Sequence, residues 1–215
     1  MAINTVLFDL DGTLINTNDL ILSSFKHTLD HYFPNQFSEE DIKKMIGEPL
    51  YQSFERLDRE RAGEMVKMYR RHNMQFHNSL VKEYDGVFET VQTLQRQGIK
   101  LGIVTTKLRK TVDMGLRLTK LDPFFDVVIT LDDVDRAKPH PEPVQKAMKK
   151  LDAVPKETMM VGDSQFDIMA GKSAGTYTAG VAWSIKGKEF LASYQPDFML
   201  HHMSELLDVV GVKTT

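Results

Sequence analysis

Two aspartates, Asp9 and Asp11, stand two positions apart directly after the apolar run Thr5-Val6-Leu7-Phe8. Residues i and i+2 of an extended chain share a direction, so both carboxylates can address one pocket. One can attack phosphorus while its neighbour manages protons, the division of labour that covalent and general acid–base catalysis require. Polar clusters end three more apolar runs. Thr105-Thr106-Lys107 follow Leu101–Val104, and Lys138-Pro139-His140-Pro141-Glu142-Pro143 come after Val127–Ile129. Gly162-Asp163-Ser164 follow Met159–Val161, with Asp167 one helical turn further on. Converging carboxylates repel; one pair at contact costs about 4 kcal/mol at intermediate dielectric. A hard divalent cation relieves that repulsion, and oxygen-only ligands without His or Cys select Mg²⁺ over Zn²⁺. Asp9, Asp11, Asp163 and Asp167 are therefore the candidate metal ligands. Gly12 lets the backbone approach a phosphate closely. Thr105 offers a hydroxyl and backbone donors, and Lys138 a positive charge, to phosphoryl oxygens.

Short apolar, partly β-branched runs of this kind are the pattern of buried parallel strands. A weaker one spans Tyr177 to Val181. Helical stretches separate them, at Val87–Gln97, Leu108–Thr119, Pro143–Leu151 and Phe166–Ala174. Alternating strand and helix predicts an α/β fold, a parallel sheet with helices on both faces. Ligands of such sheets bind beyond the carboxyl ends of the strands, where all four polar clusters would meet. From about Ile15 to Leu80 no strand is evident. Ile21, Phe25, Leu29, Tyr32 and Phe33 recur there at helical spacing. Ser38-Glu39-Glu40-Asp41 resembles a capping box, and Met65, Met68 and Tyr69 mark a third helix. So much helix exceeds one crossover. The expected organisation is a core of residues 1–14 plus 81–215 and an inserted all-helical cap of residues 15–80, a lid on the sheet's carboxyl edge. The plainer alternative is a set of extra core helices.

Composition removes several classes of function. The 215 residues are 41% apolar and 27% charged, enough for a sizeable core under a solvated surface. Thirty acids against 27 Lys and Arg give a net charge of −3, without the basic excess that nucleic-acid binding exploits. Cysteine is absent, which excludes disulfides, thiolate metal sites and cysteine nucleophiles. No apolar run is long enough to span a bilayer, and Met1 to Leu7 carry no basic start before Asp9 interrupts them. The expectation is a cytoplasmic protein, a monomer or weak homodimer, with no membrane or nucleic-acid partner.

The four signatures in this order resemble the haloacid dehalogenase-like superfamily of aspartyl-phosphate phosphatases, over nearly the whole chain. Asp9, Asp11 and Thr13 match its Asp-x-Asp-x-Thr, Thr105 its second signature, Lys138 its third, and Gly162 through Asp167 its Gly-Asp-Ser-x-x-Asp. The resemblance implies a Rossmann-like core, a nucleophilic Asp9, and an acid/base Asp11 whose backbone carbonyl also binds Mg²⁺. It further implies Asp163 as direct ligand, Asp167 holding metal-bound water or the loop, and a small phosphorylated substrate. Gly12, Thr13, Thr105, Thr106, Lys107 and Lys138 become the expected substrate contacts. Gly47-Glu48-Pro49-Leu50 is similar to a cap turn of the phosphoglycolate phosphatase and β-phosphoglucomutase branch. Asp9–Thr17, Leu101–Lys107 and Val181–Gly187 are similar to an inorganic pyrophosphatase subgroup, which makes pyrophosphate the favoured substrate. Phosphoglycolate and sugar phosphates remain open, as does a regulatory protein that binds a phospho-ligand without turnover.

Some patterns are look-alikes. Ala170-Gly171-Lys172-Ser173 imitates the end of a phosphate-binding loop, but position 166 is Phe where that loop needs Gly. His27 and His31 have metal-ligand spacing without a third ligand nearby. Of the basic runs, Lys107-Leu108-Arg109-Lys110 begins beside the expected site, where it could meet a second phosphate.

Overall fold

The computed structural model describes residues 3–212. The chain begins with β1 (Thr5–Phe8) and β2 (Ile15–Asn16), then α1 (Asn18–Tyr32), α2 (Glu39–Met45), α3 (Leu50–Glu55) and α4 (Ala62–Leu80). β3 (Lys82–Glu83), α5 (Val87–Arg96), β4 (Lys100–Val104), α6 (Arg109–Leu118) and β5 (Val127–Ile129) follow. The last part holds α7 (Glu142–Lys150), β6 (Thr158–Gly162), α8 (Gln165–Ala174), β7 (Tyr177–Val181), α9 (Lys188–Ala192), β8 (Phe198–Leu200) and α10 (Glu205–Val210).

Six strands form a wholly parallel sheet in the order β5-β4-β1-β6-β7-β8. The fold is therefore α/β, as the alternation of runs predicts. β1 is central: Phe8 pairs with Ile103 of β4 on one side and Val161 of β6 on the other. That register brings Asp9 out of β1 within one residue of the level at which Thr105 leaves β4 and Asp163 leaves β6. Successive side chains face opposite layers. Val6, Phe8, Leu101, Ile103, Met159 and Val161 join one apolar cluster, whereas Leu7, Val104 and Met160 join another beneath α7 and α8. Neither face of the central strands meets water, which is why these runs read as continuously apolar.

The helical segment from α1 to α4 closes its own apolar cluster around Phe25, Phe54, Met65 and Tyr69. Phe25 packs edge-on to Tyr69 at a centroid distance of 5.0 Å and lies 5.6 Å from Phe54. The Ser38 box forms: its hydroxyl accepts from the Asp41 amide at 3.2 Å, and the Asp41 side chain accepts from the Ser38 amide. The expectation of no strand between Ile15 and Leu80 needs correction. Ile15–Asn16 pairs antiparallel with Lys82–Glu83, stapling the exit of the helical segment to its return. Ile15 and Leu20 also belong to the sheet's apolar cluster. Two-residue strands are too short to show periodicity. β8, α3, α9 and α10 were likewise not evident in the sequence pattern. No described helix is long and apolar enough to cross a membrane.

Candidate active site

Three strand ends and one turn build the site. Asp9 leaves β1 with its amide still donating to Val161 O at 2.8 Å, so the main-chain ladder aims its side chain. Thr105 leaves β4 with its amide on Ile129 O at 3.0 Å. Asp163 leaves β6, and Asp11 sits in the turn after β1. In that turn Gly12 has φ +76°, and a Cβ there would collide with the Asp163 carboxylate. Only glycine fits that close approach.

Behind these groups lies Lys138, 3% exposed. Its ammonium donates to Val104 O at 2.7 Å and Asp167 Oδ1 at 2.6 Å, and pairs with Asp9 Oδ1 at 3.0 Å. An ammonium has three hydrogens, and all three are taken by protein acceptors. Asp167, fully buried, is equally committed: its Oδ2 accepts from the Ser164 amide at 3.0 Å and hydroxyl at 2.6 Å, the capping box of α8. Lys138 and Asp167 thus form a frame that fixes Asp9. The Asp9 Oδ2 and the Asp163 carboxylate, by contrast, have no hydrogen-bond partner among the described residues. Asp11 is set apart, with its Oδ1 accepting from Lys107 Nζ at 2.7 Å.

The charges do not balance among protein groups. Ligand atoms of Asp9, Asp163 and Asp167 fall within 4.8 Å of one another, all buried, against the single ammonium of Lys138. Burial pushes the Asp9 carboxyl up to about 7, the field of Lys138 opposing and those of Asp167 and Asp11 adding. Burial also holds Asp163 well above its ordinary value, reinforced by Asp9 and then Asp167. Burial by itself would discharge Lys138, yet the attraction of Asp167 and Asp9 prevails and raises it. Fully ionised, three carboxylates and one ammonium would leave two uncompensated negative charges, the excess that holds Asp9 and Asp163 above their ordinary values. Oxygen donors with that excess fit a hard divalent cation.

A cleft of about 230 Å³ opens between this edge and the helical segment. Of the residues anticipated from sequence, Asp9, Asp11, Asp163, Thr105, Thr106 and Lys107 line it. Gly12, Thr13, Lys138 and Asp167 stand behind the wall, and the buried Thr13 hydroxyl finds no partner among the described residues. The basic run after β4 divides. Lys110 lines the cleft, whereas Arg109 turns away to Val128 O at 2.6 Å and Asp133 at 2.9 Å. His27, exposed, stacks on His72 at 4.5 Å, and the metal-ligating group found among the described residues does not include it. Lys172 of the loop look-alike lies within α8 and bonds Tyr194 O.

Sequence reading missed the opposite wall, where α4 presents Tyr69, Arg70 and Asn73. Asn73 is only 6% exposed and stands one turn after Tyr69 on the same stripe. A polar residue inside an apolar stripe was the available signal. Burial raises the Tyr69 hydroxyl far above its ordinary range, with the Asp11 charge adding, so it stays a neutral donor.

Comparison with known proteins agrees with this geometry. The family described as haloacid dehalogenase-like hydrolase matches residues 6–181. A protein named pyrophosphatase PpaX from Anoxybacillus flavithermus is 64% identical over 212 residues, covering 99% of both chains. One of the same name from Bacillus cereus is 58% identical over 211 residues, covering 98% of each. Among solved structures, a haloacid dehalogenase-like hydrolase from Bacteroides fragilis superposes with a TM-score of 0.88 at 28% identity, covering 95% of this chain and 99% of its own.

Proposed function

We propose, from the premise that this chain belongs to the haloacid dehalogenase-like hydrolase family, that it is a Mg²⁺-dependent inorganic pyrophosphatase working through an aspartyl phosphate. For the chemistry, the observation that carries the reading is the unbonded Oδ2 of Asp9, whose other oxygen Lys138 holds at 3.0 Å. For the substrate, support comes from relatives named pyrophosphatase that match from end to end.

Asp9 and Asp163, with the backbone of Asp11, are the groups we assign to the cation. Bound there, Mg²⁺ would supply the positive charge that lets an anionic substrate enter a carboxylate pocket. Asp9 Oδ2 attacks one phosphorus of the diphosphate, forming a P–O bond as the bridging P–O bond opposite it breaks. The departing phosphate takes up a proton from Asp11. It is a good leaving group, so this half-reaction tolerates an Asp11 that Lys107 holds by its Oδ1. In the second half Asp11 takes a proton from water, whose oxygen attacks the acyl phosphate and releases the second phosphate with Asp9 restored. Thr105 and Thr106 offer donors to the phosphoryl oxygens, and Lys138 acts by holding Asp9 and Asp167 in place. We also read residues 15–80 as the cap that selects the substrate, with 1–14 and 81–215 as the catalytic core.

Phosphate release from pyrophosphate, phosphoglycolate and β-glucose 1-phosphate, each with and without Mg²⁺, tests the reading. Pyrophosphate should be cleaved fastest and only with Mg²⁺. Asp9→Asn should lower turnover by roughly 10⁴-fold or more, as removal of a nucleophile does. Preference for another substrate would overturn the pyrophosphate assignment, and an active Asp9→Asn the covalent scheme.

A further inference from the structure

The segment Val181–Gly187 carries no catalytic group, yet its three middle side chains each meet a different part of the machinery. Trp183 packs on Tyr84 at a centroid distance of 5.8 Å. Tyr84 directly follows β3, and its hydroxyl accepts from Asn18, the first residue of α1, at 3.3 Å. Trp183 therefore leans on the return of the helical segment to the sheet and, through Tyr84, reaches its exit. The next residue, Ser184, is buried, and its hydroxyl donates to the backbone carbonyl of Asp163 at 2.6 Å. Ile185 then points the other way and packs into the apolar cluster of the helical segment.

The neighbouring residues close the same junction. Lys186 donates to Gln165 Oε1 at 3.0 Å and lies over the rings of Phe166 and Phe190, at 5.4 and 5.8 Å. It forms no ion pair among the described residues. From the helical segment, Gly47 comes so near that a Cβ would stand 3.1 Å from Phe166 and 3.2 Å from Ser164. The turn preceding α3, the start of α8 and the 183–186 segment thus meet within contact distance, with Asp163 at the centre. Burial lowers Lys186, against the fields of Asp163 and Glu48, so charges from both sides of the junction reach it.

We propose that Trp183, Ser184 and Ile185 are positioning residues that couple the seating of the helical segment to the cation affinity of Asp163. Loosening of the helical segment withdraws Ile185, the segment relaxes, and the Ser184 hydroxyl no longer holds the Asp163 backbone in register. The coupling is reciprocal by thermodynamic necessity: the bound cation favours the seated state by the same factor by which seating tightens the cation. The inference rests on the assignment of Asp163 as a cation ligand.

Ile185→Ala removes the contact without touching any group near the cation, and Ile185→Val largely keeps it. Mg²⁺ is titrated without substrate and followed by the thermal unfolding midpoint and by emission of Trp183, the chain's single tryptophan. The half-saturating Mg²⁺ concentration should rise roughly 3–10-fold in Ile185→Ala, the range expected of a single coupling contact, and return toward wild type in Ile185→Val. The KM for pyrophosphate should rise with it. A folded Ile185→Ala that binds Mg²⁺ as the wild type does overturns the proposal, whatever its KM. Should that variant not fold, Ser184→Ala is held to the same criterion. A wild type with no Mg²⁺ response removes the cation assignment itself, an outcome told apart because the reference protein fails too.

Discussion

The two walls of the cleft are built on opposite principles. On the sheet side the polar groups are held by main-chain ladders and by one another, down to the last hydrogen of Lys138. On the helical side Tyr69, Arg70 and Asn73 project from one helix whose backbone is already satisfied internally, and Arg70 forms no ion pair among the described residues. The first wall cannot lose a member without stranding a charge in a dry interior. On the second, Tyr69 and Asn73 are buried, but Arg70 can be exchanged without stranding a charge. Chemistry belongs where geometry is over-determined, and selection among substrates where it is not.

Breaking the frame on the sheet side should have the largest effect. Lys138→Met leaves Asp9 and Asp167 buried without their counter-charge and should cost about 3–5 kcal/mol, measurable by urea unfolding. A variant as stable as the wild type would show that these carboxylates are less dry than the structure implies. The same frame predicts an unusual response to pH once divalent cations are chelated. Folded Asp9 keeps its proton up to about 7, whereas the unfolded chain releases it near 3.8. Between those values the folded state binds more protons, so its stability falls as pH rises. Thermal melts in EDTA should therefore decline from pH 5 to pH 8, and added Mg²⁺ should restore more at pH 8 than at pH 5. A flat profile in EDTA would deny the charge excess.

The smallest effect sharpens the comparison from the other wall. Ser38→Ala removes the cap of α2 and should cost about 1 kcal/mol, the usual loss for such a cap. Its kinetic trace should appear in KM, with kcat within about twofold, because no group on the sheet edge moves. A fall in kcat approaching that of Asp9→Asn would erase the distinction between the walls.

The five strands anticipated from apolar runs, and the carboxylates at their ends, were legible because burial on both faces leaves an unbroken signature. Asp9 and Asp163 stood out because each stands at the end of such a run, and Asp167 because it follows one helical turn after Asp163. β2 and β3 were not legible, since two paired residues carry no period. Tyr69 reads only as the marker of a helix and Asn73 was not singled out, because an apolar stripe does not say which of its members face a neighbour and which face a cleft. The segment Val181–Gly187 stood out as a resemblance without a physical account until its neighbours were known.

Composition, spacing and run length by themselves determined the parallel sheet, the helical insertion and the acidic oxygens that call for a cation. These are properties of consecutive residues, and local backbone geometry translates them directly into direction and burial. Only the tertiary structure decided that Lys138 is buried against Val104, Asp167 and Asp9, that Lys107 holds Asp11, and that Ser184 supports Asp163 across the sheet edge. Each depends on which atoms meet from distant parts of the chain, and hydrogen-bond capacity is spent on neighbours in space.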